Sequence, residues 1–145
     1  MSKQSPVRDE VDAPFWAACN EERSVLQHCT ACDRYQYPPE GNCMDCGSAA
    51  SLEWREVEGV GTIYSYGVIY DTPISSLQPN QPFNCAVIEF ESAPGINMLS
   101  HLPGTSADAV PVCAKVRVIV ETTPATGQKV PEWQRVAWLR RMRGE

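Results

Sequence analysis

Four cysteines in the first third of the chain are the residues whose types and spacing could do chemistry. They form two Cys-x-x-Cys pairs, Cys29/Cys32 and Cys43/Cys46, with ten residues between the pairs. Each pair predicts a tight turn that points both sulfurs at one centre, and two such turns supply the four soft ligands of a tetrahedral site. The spacing therefore predicts a structural zinc site, with iron in a rubredoxin-like site as the competing interpretation.

The residues around the pairs suit this geometry. A turn of this kind often places the following residue at positive φ, which Gly47 adopts without steric cost and Asp33 tolerates better than most residues. The Pro- and Gly-containing stretch 35–42 then predicts a loop that returns the chain to the metal.

Such a site is closed to catalysis, because catalytic zinc keeps a coordination position open and four cysteines leave none. His28 could replace a ligand, but the two pairs already suffice, which predicts a surface or strand histidine. The cysteines outside the pattern are interpreted as buried small apolar residues, namely Cys19, Cys85 and Cys113.

The rest of the chain offers little to a catalytic mechanism. It has two histidines and lacks a Gly-x-Ser-x-Gly elbow, a phosphate-binding loop and a His-Glu-x-x-His motif. The acidic pairs Glu21/Glu22 and Glu56/Glu58 are typical of solvated surface. We therefore predict no catalytic residue and favour a binding subunit.

The pattern of apolar residues defines the elements that would position the cysteines. Residues 12–23 predict a short helix, with Asp12 as N-cap and Pro14 in the first turn. From residue 51 the period changes to two, which predicts four to five strands separated by turn clusters. Five short strands without a long helix favour a small OB-type barrel.

The fold class predicted is therefore mainly β, in three parts. An N-terminal helix and rubredoxin-like zinc ribbon occupy residues 12–50, a five-stranded OB-fold barrel occupies 51–130, and a tail occupies 131–145. Within the tail, Trp133, Val136 and Ala137 follow helical spacing and predict a short amphipathic helix.

Charge and hydropathy narrow the classes of function. The chain has 12 basic and 18 acidic residues, a formal net charge of −6, and four thiolates on a divalent metal would add about −2. An acidic chain repels phosphate backbones, which argues against non-specific nucleic-acid binding. The sequence has neither an apolar run near the ~20 residues of a membrane span nor a secretion signal, so we expect a cytoplasmic protein with reduced thiols.

The order of motifs resembles the acyl-CoA-associated zinc-ribbon/OB-fold family, long catalogued as a domain of unknown function. The resemblance spans residues 12–135 and combines the two cysteine pairs, a following tryptophan and a Gly-x-Gly-Thr-Ile-Tyr-Ser-Tyr strand with a later Glu strand. Beyond the cysteines, it rests on Trp54, Gly59, Gly61, Thr62, Tyr64, Ser65, Tyr66, Pro82, Glu89, Pro131 and Trp133. Cys113 departs from the pattern, since a glycine is expected there, and this leaves a local turn in doubt.

What the resemblance implies is a non-catalytic accessory subunit in a heteromeric complex. Such proteins accompany thiolase-superfamily enzymes that make or break carbon–carbon bonds in acyl-CoA substrates. The partner is a thiolase, an acyltransferase or a retro-aldolase of lipid, steroid or aromatic degradation, and it supplies the catalytic cysteine and histidines. The accessory subunit stabilises that partner and covers its acyl-CoA site.

Aromatic residues are the expected contacts with such a partner, because aromatic side chains dominate interface cores. The aromatic face of the first helix is favoured to pack on its own domain, with docking on a partner as the alternative, and the tail could equally pack over the barrel. The predicted partner-binding residues are Phe15, Trp16, Tyr35, Tyr37, Trp133 and Trp138. Arginine presents a fork of donors that matches phosphate, so we expect contacts with the phosphates of CoA from Arg140, Arg141 and Arg143.

Two other functions compete with this interpretation. A single-stranded nucleic-acid-binding zinc-ribbon/OB protein could stack bases on Tyr64 and Tyr66, although no basic residue interleaves with them. A stand-alone acyl-CoA or lipid carrier would need a sizeable cavity, whereas a five-stranded barrel is normally filled by its own side chains.

Overall fold

The computed structural model describes residues 3–136 and Gly144. In that part of the chain the α-helix α1 (Ala13–Asn20) precedes eight strands in two sheets, and a short 3₁₀ helix (Gln78–Asn80) lies between the fourth and fifth strands. The strands are β1 (Val25–Cys29), β2 (Arg34–Gln36), β3 (Leu52–Glu56), β4 (Val60–Ile69), β5 (Phe83–Phe90), β6 (Asn97–Ser100), β7 (Lys115–Thr122) and β8 (Lys129–Arg135). The architecture is mainly β with one N-terminal helix, as predicted.

Helix α1 begins by a different route from the predicted one. Asp12 occupies the N-cap position, but its side chain makes no capping bond to the helix. Its Oδ1 instead accepts the N–H of Asp9 at 2.8 Å, while Asp9 Oδ1 accepts the N–H groups of Val11 and Asp12. The preceding turn, with Pro14 in the first helical turn, therefore starts the helix.

The smaller sheet forms the ribbon and has the order β2-β1-β3. Both pairings are antiparallel, and they place Cys29 opposite Arg34 on one side and Leu52 on the other. The first metal-binding turn thus leaves the end of a central strand that is held from both sides.

The larger sheet has the order β6-β5-β4-β7-β8 and curls into a nearly closed barrel. Side chains from β4, β5, β7 and β8 fill its interior, including Ile63, Ile88, Val116 and Trp133, each with 0% exposure. Gly61 on β4 lies so close to this core that a Cβ there would come within 2.7 Å of Ile88 Cγ2 and 3.2 Å of Trp133 Cζ3. The Gly-x-Gly motif is therefore a packing requirement of the barrel.

Helix α1 covers one end of the barrel. Phe15 and Cys19 face Met98, Val118 and Pro131 across an apolar pocket of only about 20 Å³, room for about one water molecule. The carrier interpretation loses support, because the barrel interior beneath α1 is filled by side chains.

The helix and the chain before it are fastened to the β7–β8 hairpin. Gln128 Nε2 donates to the carbonyl of Trp16 at 3.0 Å, and the N–H of Lys129 donates to Asn20 Oδ1 at 2.9 Å. Ser5 Oγ donates to Thr123 Oγ1 at 2.9 Å. These polar contacts hold the helix against the barrel.

The C-terminal part of the prediction needs correction. Residues 131–135 belong to β8, which pairs with β7 from Val116↔Arg135 to Thr122↔Lys129, so the predicted boundary at residue 130 falls inside a strand. Trp133 lies in the barrel core and does not start a helix. The remainder of the predicted tail, with Trp138, Arg140, Arg141 and Arg143, lies outside the described residues.

The finding on membrane spans is limited to the part of the chain that is described. There, no helix is long and apolar enough to cross a bilayer.

Candidate metal centre

The two cysteine pairs converge on one point. The four Sγ atoms of Cys29, Cys32, Cys43 and Cys46 all lie within 4.8 Å of one another. Sγ of Cys29 is 3.6 Å from that of Cys46, and Sγ of Cys32 is 3.6 Å from that of Cys43. A tetrahedral zinc ion with Zn–S bonds of about 2.3 Å requires sulfurs about 3.8 Å apart. The residues therefore fit a structural zinc ion, which would supply crosslinking and no open coordination position.

The backbone of both turns has the conformation that the sequence predicted. Asp33 has φ +56° and Gly47 has φ +77°. In the second turn the N–H of Gly47 donates to the carbonyl of Cys43 at 2.9 Å. The backbone N–H groups of Cys46 and Asp45 point at the Cys43 sulfur and lower the pKa of this thiol to about 6. Backbone donors thus favour the thiolate that a metal needs.

His28 is a buried strand histidine beside the metal site and not one of its ligands. Its Nε2 lies 2.8 Å from Asp33 Oδ1, and its Nδ1 lies 3.2 Å from Glu53 Oε1. The ring also packs edge-on against Tyr35, with the ring centroids 4.9 Å apart. His28 therefore ties the left-handed residue of the first turn to the neighbouring strand β3.

Two buried glutamines that the sequence analysis missed hold the second turn. Gln36 Nε2 donates to Gln27 Oε1 at 2.7 Å, and Gln36 Oε1 accepts the N–H of Met44 at 2.9 Å. Gln27 Oε1 also accepts the N–H of Glu40 at 2.8 Å. The signal available was a glutamine in each of the ribbon strands β1 and β2, at positions where a burial-driven pattern would place an apolar residue.

The aromatic residues predicted to contact a partner are mostly inside the molecule. Phe15 is 4% exposed and Trp133 is 0% exposed. The helix face of Phe15 therefore packs on its own domain, as the sequence favoured, whereas the prediction of Trp133 as an exposed contact is wrong. Trp16, Tyr35 and Tyr37 are half-buried and pack against the core, and for them the prediction stays untested. Burial of the helix face against the barrel accounts for Phe15, and pairing with β7 accounts for Trp133.

The remaining cysteines differ in environment. Cys19 is buried, as predicted, and burial raises the pKa of its thiol to about 11. Cys85 is half-buried, and burial raises the pKa of its thiol also. Cys113 is exposed with φ +69°, so its assignment as a buried apolar residue is wrong. Its backbone occupies the left-handed turn for which the family pattern has glycine.

The described residues offer nucleic acid exposed aromatic side chains, but most of their basic side chains are paired with carboxylates. Tyr64 is 66% and Tyr66 is 36% exposed, and β4 carries no basic residue. Among the described residues, the basic side chains in ion pairs with carboxylates are Lys3, Arg23, Arg34, Arg55, Lys115 and Lys129. This arrangement does not favour phosphate binding.

A four-cysteine ribbon joined to a five-stranded barrel defines a class, the zinc-ribbon/OB-fold proteins. Within that class, two family models match the chain in order. The model for "ChsH2, rubredoxin-like zinc ribbon domain" matches residues 16–53, and that for "ChsH2, C-terminal OB-fold domain" matches residues 54–121. Together the two models cover well over half of the chain. The chain therefore belongs to the ChsH2 zinc-ribbon/OB-fold family, and the resemblance inferred from its motifs is confirmed.

Known relatives agree with this assignment. A probable enoyl-CoA hydratase alpha subunit of Thermomonospora curvata is 32% identical over 104 residues, which are 70% of this chain and 30% of the relative. The chain thus spans under a third of that relative's length. The solved Ltp2-ChsH2(DUF35) aldolase superposes with a TM-score of 0.76 at 24% identity, over 90% of this chain and 98% of that chain.

A more distant structure has the same fold. It is a protein of unknown function from the DUF35 family of Sulfolobus solfataricus, with a TM-score of 0.59 at 19% identity. The superposition covers 87% of this chain and 85% of that chain.

Proposed function

We propose that the protein is a non-catalytic, zinc-binding accessory subunit of a heteromeric thiolase-superfamily enzyme. The catalytic partner is a thiolase, an acyltransferase or a retro-aldolase that makes or cleaves carbon–carbon bonds in acyl-CoA substrates. In this account the subunit stabilises the partner and covers its acyl-CoA site.

One observation carries the proposal. The chain superposes on 98% of a chain from the Ltp2-ChsH2(DUF35) aldolase, so it corresponds to a whole component of that protein. The relative from Thermomonospora curvata, named a probable enoyl-CoA hydratase alpha subunit, supports acyl-CoA thioesters as the class of substrate.

The site chemistry is consistent with a supporting role. Four cysteines complete the coordination shell of the metal, so a bound zinc ion has no position for an activated water. Burial raises the pKa of Cys19 to about 11 and keeps this thiol protonated and unreactive. The pocket beneath α1, at about 20 Å³, is too small for an acyl chain. We therefore propose that the acyl group binds outside this pocket, on the partner or between the two subunits.

Reconstitution tests the proposal. The thiolase-like protein that co-purifies with the chain from its native host is identified, produced separately and assayed with an acyl-CoA substrate, with and without the chain. We expect the partner alone to be unstable or weakly active, the chain alone to be inactive, and the mixture to be active.

Two results would contradict the proposal. One is turnover of the acyl-CoA by the isolated chain. The other is that the chain forms a specific complex with single-stranded DNA at physiological salt but none with a thiolase-like protein. That result would support the nucleic-acid interpretation instead.

A further inference from the structure

The outward side of β4, β5 and β6 has an apolar centre. The strand register sets Leu99 and Ser65 on either side of Val87, Cys85 beside Gly67, and Phe83 beside Ile69. These residues alternate with the fully buried Ala86 and Ile88, so their side chains point away from the barrel core. We call this surface the outer apolar face and define it by Gly67, Ile69, Phe83, Cys85, Val87 and Leu99.

The outer apolar face is partly open to solvent: Gly67 and Leu99 are exposed, and its other four residues are half-buried. Leu99 is 67% exposed, and a Cβ built on Gly67 would meet no atom within 4 Å. Tyr64 lies within the strand that carries Gly67 and Tyr70 directly follows it, at 66% and 68% exposure. The solvated side of an antiparallel sheet is normally polar, so adjacent apolar side chains on this side call for an explanation.

We infer that the outer apolar face is the surface on which the catalytic subunit docks, an inference that rests on the proposed function. Three strands about 4.8 Å apart and about four residues long give a face of about 200 Å². A stable interface buries about 800 Å² on each partner. The face can therefore form only the centre of an interface, and its partner must extend well beyond it onto the rim.

The acidic residues at the edge of the outer apolar face indicate which kind of partner fits it. Glu89 lies in the next outward row, between Thr62 and Asn97, and Asp71 follows Tyr70 at the other end. A second copy of this chain, with a formal charge of −6, would bring an acidic rim onto an acidic rim. Like charges in contact disfavour such pairing. A larger subunit with an apolar patch bordered by Lys or Arg fits both the area and the charge.

This location differs from the ribbon surface that the sequence favoured. Phe15 on α1 is buried, and Tyr35 and Tyr37 of the ribbon pack against the core. The ribbon loop (residues 35–42) and the outer apolar face are therefore two separate surfaces. Each contains a glycine at which a substitution can test its role in docking.

Gly67→Arg and Gly41→Arg form a matched pair of variants. Gly67 lies in the outer apolar face and Gly41 in the ribbon loop, neither has positive φ, and a Cβ on either meets no atom within 4 Å. Each variant adds the same bulk and charge without straining the fold, which an unchanged melting temperature would verify. Leu99→Asp is a second variant of the face.

The measurement is the Kd of each purified variant for the purified catalytic subunit from the reconstitution, by isothermal titration calorimetry. We expect Gly67→Arg and Leu99→Asp each to weaken binding at least tenfold, and Gly41→Arg to bind as the wild type does. Binding that survives both face variants would overturn the docking surface and leave the proposed function standing.

Other outcomes also decide the matter. Loss of binding in Gly41→Arg alone would assign docking to the ribbon loop and overturn the inference. A wild-type homodimer in sedimentation that Leu99→Asp dissociates would assign the face to a second copy, with the same consequence. If no thiolase-like subunit binds the wild type, the proposed function and the inference fail together.

Discussion

The hydroxyl oxygen of Ser100 on β6 accepts the backbone N–H of Trp133 on β8 at 2.9 Å. Strands β6 and β8 are the two edges of the five-stranded sheet and share no ladder. Ser100 also donates to Glu132 Oε2 at 2.6 Å, and Lys3 forms an ion pair with the same carboxylate. One short polar side chain therefore bridges the gap at which the barrel would otherwise stay open.

Replacing Ser100 by Ala should lower the free energy of unfolding by about 1–3 kcal/mol, because a buried N–H and a buried carboxylate each lose a hydrogen-bonding partner. Urea unfolding followed by circular dichroism measures the change. Ser106→Ala, at an exposed serine that donates to Asp108, is the control and should change stability by less than about 0.5 kcal/mol. Equal effects of the two variants would refute the bridging role.

Gly61→Ala should destabilise the barrel by about 2–4 kcal/mol, because the new methyl group would overlap the carbonyl of Glu89 and the side chain of Ile88, each at 2.7 Å. Gly67→Ala, on the same strand with open space above it, is the matched control and should be nearly neutral. Thermal unfolding of the two variants gives the comparison. A Gly61→Ala protein as stable as the wild type would show that the strands can separate at no cost.

Cys113→Gly should stabilise the protein by about 1 kcal/mol, because Cys113 holds φ +69°, a conformation that costs a residue with a Cβ about that much. Cys113→Ala keeps a Cβ and should therefore keep the strain. The midpoint of urea unfolding distinguishes the two variants. A stabilisation by alanine equal to that by glycine would mean that the thiol, and not the backbone, is the cause.

His101 should make stability fall as the pH is lowered. Burial, and then the positive charge of Lys3, lower the pKa of His101 below its ordinary value of 6.5. Below pH 6.5 the unfolded chain therefore takes up a proton more readily than the folded one, and stability present at neutral pH is lost on acidification. We expect His101→Gln to lose less unfolding free energy than the wild type between about pH 7.5 and 5.5. Identical pH profiles would contradict this assignment.

Short-range features were predictable from the sequence. The metal ligands follow from Cys-x-x-Cys spacing, and the left-handed residues Asp33 and Gly47 follow from what such turns require. The mainly β class follows from the alternation of apolar residues. The glycine expected at Cys113 is explained by the positive φ that the turn demands.

Features that depend on distant parts of the chain were not predictable. Trp133 lies two residues after Pro131 and has helical spacing to Val136 and Ala137, so its local pattern indicated a helix. Its strand pairing comes from β7, and its burial comes from the space above Gly61. Packing of the Phe15 face on its own domain was expected, but the barrel residues that it contacts come from distant strands. Tertiary contacts decide the burial of these residues, and local patterns in a single sequence do not predict such contacts.

The measurement closest to the central claim follows zinc content and activity together. Wild-type chain, Cys43→Ser and the control Cys113→Ser, an exposed cysteine outside the metal site, are each added to the purified catalytic subunit. We predict about one zinc per chain and full activation for the wild type and Cys113→Ser, and loss of both for Cys43→Ser. A Cys43→Ser protein that kept its zinc and still activated the partner would contradict the account.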